Sequence, residues 1–270
     1  MQLIKIILLV LPSLFTTPTL GNGVMIKNAV LVCYGRLEPE VIKGYSYVIL
    51  ESHYYTIYEI QKIKSQNEKV IAYISLGEIN ANSQYFDLLK ENSFGKNETW
   101  NSYYLNLRSE RTIEILKEMV KNTLAIGFDG LFLDNIDNFS SYGPQSQQKA
   151  EMIGLLKMMR DENPTHILIQ NSGIGLIDET APFVNAVVME SVASNYTFED
   201  KNYKLRNKNE FDDFIKKLRL IRKKYKLPII LIEYADTNEL HNAIIKRIKP
   251  FRFHYFIGNI DLQTIPIFKN

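Results

Sequence analysis

The 270-residue chain has one cysteine, one tryptophan and four histidines, and these scarcities remove whole classes of chemistry. A lone Cys33 forbids an intrachain disulfide, and within the apolar stretch AVLVCYG it reads as a small core hydrophobe rather than a nucleophile. His53, His166, His241 and His254 contain no pair at a metal-ligand spacing such as H-E-x-x-H. No glycine-rich phosphate turn follows the first apolar run, where the sequence reads CYGRLEPE, so a dinucleotide-binding open sheet is disfavoured. Charge of one sign is missing as well: 32 basic against 30 acidic residues leave a net charge of +2, and nothing calls for a nucleic-acid partner.

Long apolar runs are confined to the N-terminus, MQLIKIILLVLPSLFTTPTLGNG. Lys5 precedes the run Ile6 to Phe15, which is short for a membrane span, and small or turn-forming residues follow from Thr16 to Gly23. Residues 1–22 are expected to be a secretory signal peptide, with an uncleaved anchor as the alternative. Residues 23–270 would then form a secreted domain with no membrane partner after cleavage. Sequons stand at Asn97, Asn138 and Asn195.

What is present is an alternation. Eight short apolar or β-branched runs are expected as strands: Ala29 to Tyr34, Tyr47 to Glu51, Val70 to Glu78, Gly130 to Asp134, His166 to Asn171, Val184 to Glu190, Pro228 to Tyr234 and Phe253 to Ile257. Between them, Thr56 to Lys64, Ser83 to Lys90, Glu110 to Ala125, Gln147 to Asp161, Glu210 to Tyr225 and Glu239 to Ile248 carry apolar residues at helical spacing. The pattern predicts an α/β fold, a single-domain (β/α)8 TIM barrel. Ser191 to Asn209 is expected to be a long loop on the active-site rim.

A barrel of this kind carries its chemistry at the C-terminal ends of its strands. Those ends hold Glu51; Ser75 and Glu78; Asp134, Asn135 and Asp137; Gln170 and Asn171; Glu190; and Glu233, Tyr234 and Asp236. Any one acid there could cap the following helix, but acids or amides finishing six successive strands would converge on one mouth at an electrostatic cost. Within GFDGLFLDNID, Asp129 precedes the strand and reads as a structural turn residue, Asp134 ends it and should point inward, and Asp137 is open between substrate contact and structure. Cleavage of a glycosidic bond needs two carboxyl groups, one to protonate the departing oxygen and one to attack carbon or activate water. Asp134 on the fourth strand and Glu190 on the sixth are separated by one strand, and the apolar Val187-Val188-Met189 ahead of Glu190 would tend to raise its pKa.

The order VIAYISLGE, GFDGLFLDNID, ILIQNSG, VVMES and IILIEYAD resembles glycoside hydrolase family 114, the endo-α-1,4-polygalactosaminidases and related extracellular barrels. Its most specific pieces are Tyr-Ile-Ser-Leu-Gly-Glu at 73–78 and the Asp-Gly-x-x-x-Asp-x-x-Asp spacing at 129–137. The resemblance implies a barrel that cleaves α-linked galactosamine-containing polysaccharide with no cofactor and no metal. It also implies Asp134 as nucleophile and Glu190 as acid/base. Glu51, Tyr73, Ser75, Glu78, Asn135, Asp137, Gln170, Asn171, Glu233 and Tyr234 are the expected substrate-binding residues, and an acidic mouth would attract a cationic aminosugar polymer. Tyr73, Tyr234, Tyr255 and Trp100 are candidate sugar-stacking faces. The chain continues its fourth strand as Asp134-Asn135-Ile136-Asp137-Asn138-Phe139, where polygalactosaminidases usually read Asp-Asn-Val-Asp-Gly-Tyr.

Two other readings stay open at this stage. One is a glycan-binding barrel without turnover. The other is a metal-dependent barrel enzyme, which would want a Lys or His base at a strand end, where none is found.

Overall fold

The computed structural model describes residues 29–268, and the expected signal segment 1–22 lies outside them. Eight parallel strands form one sheet in chain order: β1 (Val30–Cys33), β2 (Tyr47–Leu50), β3 (Val70–Ser75), β4 (Gly130–Asp134), β5 (Ile167–Asn171), β6 (Ala186–Glu190), β7 (Ile229–Tyr234) and β8 (His254–Gly258). Ala29 bridges to Tyr255 in parallel, bringing the first strand back to the last, so the sheet is a nearly closed barrel. The connecting helices are α1 (Ile57–Lys64), α2 (Phe86–Leu89), α3 (Glu110–Ala125), α4 (Lys149–Glu162), α5 (Ile177–Thr180), α6 (Lys208–Tyr225) and α7 (Asn238–Ile248). The expected α/β barrel is the fold observed.

Local chemistry sets the helix starts. Thr56 and Glu59 form a capping box on α1, while the hydroxyls of Ser109 and Thr237 accept from the backbone of α3 and α7. Asp129 is structural, as expected: its carboxylate accepts from Val70 N at 2.8 Å and pairs with Lys64 at 2.7 Å, tying the start of β4 to β3. Gly130 follows because a Cβ there would lie 1.9 Å from the carbonyl oxygen of Ile167.

Strand register then decides which side chains face the barrel axis. Val32, Ile49 and Ile71 are register partners, so two residues further along Tyr34, Glu51 and Tyr73 share a face. Ser75 is opposite Asp134, Asn171 is opposite Val188 two residues before Glu190, and Glu190 is opposite Ile232 two residues before Tyr234. The inward row at the C-terminal mouth therefore reads Tyr34, Glu51, Ser75, Asp134, Asn171, Glu190 and Tyr234. Outward residues such as Val187, Leu231 and Ile257 pack with Leu218 of α6 and Ile244 of α7 in a second apolar cluster.

Three expectations need correction. The third strand ends at Ser75, and Glu78 opens a separate three-stranded antiparallel sheet formed by Glu78–Asn80, Ser93–Asn97 and Ser102–Leu105. The helix expected over Ser83 to Lys90 shrinks to α2, because Asn80 Oδ1 and Ser83 Oγ accept backbone bonds from Asn82 and Tyr85 and hold the chain in turns. The expected loop Ser191 to Asn209 contains a hairpin, Ser194–Thr197 with Asn202–Leu205, in which Tyr196 faces Tyr203 across the strands.

Candidate active site

Asp134 and Glu190 meet through one side-chain amide. Asn171 Nδ2 donates to Asp134 Oδ1 at 2.7 Å and to Glu190 Oε1 at 2.7 Å. The outer oxygens are held in mirror fashion: Tyr73 Oη donates to Asp134 Oδ2 at 2.8 Å, and Tyr234 Oη donates to Glu190 Oε2. Each carboxyl thus has one tyrosine and a share of one asparagine, and the two nearer oxygens can be no further apart than the sum of the two amide bonds.

Backbone geometry delivers these groups. Asp134, Asn171 and Glu190 are the last residues of β4, β5 and β6, and each is followed by a non-glycine residue with positive φ: Asn135 (63°), Ser172 (54°) and Ser191 (53°). A left-handed residue turns the chain away sharply once the functional side chain has been placed, and such strain clusters at working sites. Three successive strands use this device.

Burial shapes the titration of the pair. It pushes Glu190 up to about 7, with the charge of Asp134 as the second cause and the Tyr234 and Asn171 bonds opposing. Burial also raises Asp134, against the bonds from Asn171 and Tyr73. Glu51, pushed up to about 7 by burial, faces the same space and lies 3.4 Å from His53 Nδ1. Tyr34, Tyr73 and Tyr234 are held well above the usual phenol range by burial and by these acids, so they remain donors. Asn171 Oδ1 is buried and has no partner.

Tyr34 was not anticipated by sequence reasoning. Its ring packs on Tyr73 at 4.7 Å between centroids, and Asp134, Glu190 and Glu51 all raise its pKa. The signal was available, since Tyr34 ends the first apolar run as the acids end the others.

The remaining expected site residues divide by register and by partners. Glu78 is buried under the side-chain donors of Asn97, Ser102, Asn135 and Asn138, beside Asp134 and Asp137, whose pKa values its charge raises. Ser75 bonds to Asn135 and to the backbone of Glu78, and Asn135 donates to the Glu78 carboxylate, so the three form one bonded group beside Asp134. Asp137 is half-buried and raised by burial first and Asp134 second.

Gln170 and Glu233 do not reach the mouth. Each is the penultimate residue of its strand and so points to the outer side. The Gln170 amide donates to the carbonyls of Ser172 and Gly173. Glu233, 0% exposed, accepts from the backbone of Ala193 and Ser194 and from the Ser194 hydroxyl. Tyr255 packs against the outer apolar cluster, so it is no sugar platform. Cys33 is buried, its thiol pushed up by that burial. Among the described residues no three His, Cys, Asp or Glu side chains converge as a metal-holding group, and no helix is long and apolar enough to cross a membrane.

The glycoside hydrolase domain of PelA from Pseudomonas aeruginosa shares this fold, with a TM-score of 0.79 at 21% identity over 88% of this chain and 97% of that one. Ega3 from Aspergillus fumigatus, solved in complex with galactosamine, gives a TM-score of 0.67 at 18% identity, over 87% of this chain and 91% of its own. In sequence, the chain is 24% identical over 231 residues to the protein MJ1477 of Methanocaldococcus jannaschii, covering 78% of this chain and 65% of that relative's length. The model of glycoside-hydrolase family GH114 matches residues 48–268, and the chain belongs to that family.

Proposed function

We propose that the chain is a glycoside hydrolase that cleaves α-linked galactosamine-containing polysaccharide with Asp134 as nucleophile and Glu190 as acid/base. The observation that carries this reading is the single amide of Asn171 bonded to both carboxyls. It holds the nearer oxygens within the span used by retaining glycosidases, about 5 to 5.5 Å, rather than the roughly 6.5 to 9.5 Å that leaves room for an inverting water. Glu190, raised to about 7, keeps a proton for the departing oxygen at mildly acidic pH, while the Asn171 and Tyr73 bonds favour the charged form of Asp134 against the burial that raises it. In the first step Asp134 Oδ attacks the anomeric carbon as the Glu190 proton passes to the leaving sugar. In the second, deprotonated Glu190 takes a proton from a water whose oxygen bonds to the anomeric carbon, and the bond from that carbon to Asp134 breaks, freeing the carboxylate.

The substrate class is supported by charge and by kinship. Glu51, Asp137, Asp134 and Glu190 gather at the C-terminal mouth with no Lys or Arg among their bonded partners and His53 beside Glu51, an acidic environment that favours a cationic aminosugar. The unpartnered Asn171 Oδ1 leaves an acceptor for a substrate hydroxyl or ammonium. Ega3, which shares the fold, was solved with galactosamine. The apolar run at residues 6–15 supports export of the chain.

The test is reducing-end release from a panel of partly deacetylated galactosamine and glucosamine polymers, with the anomer of the first product read by NMR. Release from the galactosamine polymer with retained configuration is the expected result. Inverted product would remove the nucleophile role from Asp134, and saturable binding without release from any polymer would leave a glycan-binding barrel.

A further inference from the structure

The excursions that follow β3 and β6 touch at their tips. Trp100 lies in the turn between Asn97 and Ser102, and Phe198 in the turn between Thr197 and Asn202. Their rings meet edge to face, 5.3 Å between centroids at 88°. In the barrel β4 and β5 separate the two parent strands, so the contact spans the sector whose strand ends carry Asp134 and Asn171.

This bridge is built and yet left open to solvent. Phe198 packs on Tyr196 at 5.0 Å, Tyr196 on Tyr203 at 4.6 Å, and Tyr203 Oη accepts from the backbone of Ile260 beyond β8. On the other side, Asn80 Nδ2 donates to the carbonyl of Trp100 at 2.8 Å. Despite that support Trp100 is 49% and Phe198 50% exposed. An edge-to-face contact covers one face of one ring, which leaves broad aromatic faces directed at water where burial would be favourable.

Resting on the glycosidase reading above, we propose that Trp100 and Phe198 form a sugar-stacking bridge that holds the polymer at the rim, away from the cleaved bond. The chemistry fits one occupant. An aromatic face accepts the apolar C–H face of a pyranose ring, and it attracts the ammonium of a deacetylated aminosugar through the ring quadrupole. Because two excursions supply the rings, the bridge recognises a chain long enough to reach from the carboxyl pair to the rim.

The sequence contains a single tryptophan, so its emission reports on Trp100 alone. Asp134→Asn protein, which binds without turnover, is titrated with partly deacetylated α-1,4-galactosamine polymer and, separately, with galactosamine. The expected result is a saturable change in emission with the polymer and none with the monosaccharide. In the otherwise unaltered enzyme, Trp100→Ala and Phe198→Ala should each raise KM for the polymer about five-fold or more with kcat little changed. Trp100→Phe should restore most of the loss, and cleavage of the shortest oligomer turned over should be unaffected by all three. Polymer cleavage by the wild type with no emission change at saturating polymer would overturn the bridge alone. Equal losses on polymer and short oligomer would also overturn it, by showing a structural role. Neither cleavage nor emission change with any polymer would overturn the bridge together with the glycosidase reading.

Discussion

Glu190 on β6 and Glu233 on β7 are acids near the ends of neighbouring strands, both pushed up to about 7 by burial. Yet they are placed oppositely, because on β6 and β7 the final residue faces the axis and the penultimate one faces the shell. Glu190 stands in the mouth with an amide and a phenol, beside a second carboxyl. Glu233 is enclosed by donors from Ala193 and Ser194 and fastens the start of the rim hairpin to the barrel. A raised pKa alone therefore does not mark a catalytic acid. What sets Glu190 apart, on the proposed reading, is a raised pKa together with a second carboxyl held to it through a shared amide.

Substitutions that separate the two regions should differ by orders of magnitude. Asp134→Asn and Glu190→Gln are each expected to lower kcat by at least about 10³-fold with polymer binding retained, as read by turnover and by titration. Asn171→Ala removes the shared donor and is expected to lower kcat about 10²-fold. It should also shift the alkaline limb of the rate profile to higher pH, since that bond lowers the pKa of Glu190. Equal activity in the Asn171→Ala enzyme would mean that the shared amide is incidental.

On the structural side, Glu233→Gln puts an amide donor against the donors of Ser194 and should reduce unfolding free energy by about 2 kcal/mol, measured by denaturant titration. The pH dependence follows from the raised carboxyls. Glu51, Glu190 and Glu233 stand at about 7 in the fold against a reference of 4.5, so the folded state binds more protons between those values. Their stabilising contribution is complete below pH 4.5 and is lost as pH rises through 7. A scan of thermal midpoints should therefore show these groups favouring pH 5 over pH 8. Smallest of all, Tyr234→Phe removes a bond that lowers the pKa of Glu190, and the alkaline limb of kcat/KM should move upward with only a few-fold change in maximum rate.

Much of this was legible before any coordinates. Continuous apolar runs alternating with amphipathic helices specify a parallel barrel, and the strand ends exposed Asp134, Asn171 and Glu190 because parallel strands end abruptly in polar residues. Parity within a strand was harder to read. Gln170 and Glu233 looked equivalent to their neighbours because a one-residue error in the strand end exchanges inside for outside. Tyr34 was missed because a tyrosine at the end of an apolar run reads as core. The antiparallel sheet after β3 and the hairpin after β6 were hidden by polar composition, and they depend on cross-strand pairs such as Tyr196 with Tyr203 that only folding brings together.

The most direct measurement places the two regions side by side: reducing-end release from α-1,4-galactosamine polymer by the wild type, Asp134→Asn, Glu190→Gln and Glu233→Gln, each normalised to folded protein. The account predicts activity for the wild type and Glu233→Gln and its loss in the other two. Retained activity in either Asp134→Asn or Glu190→Gln, or a loss in Glu233→Gln as deep as theirs, would contradict it.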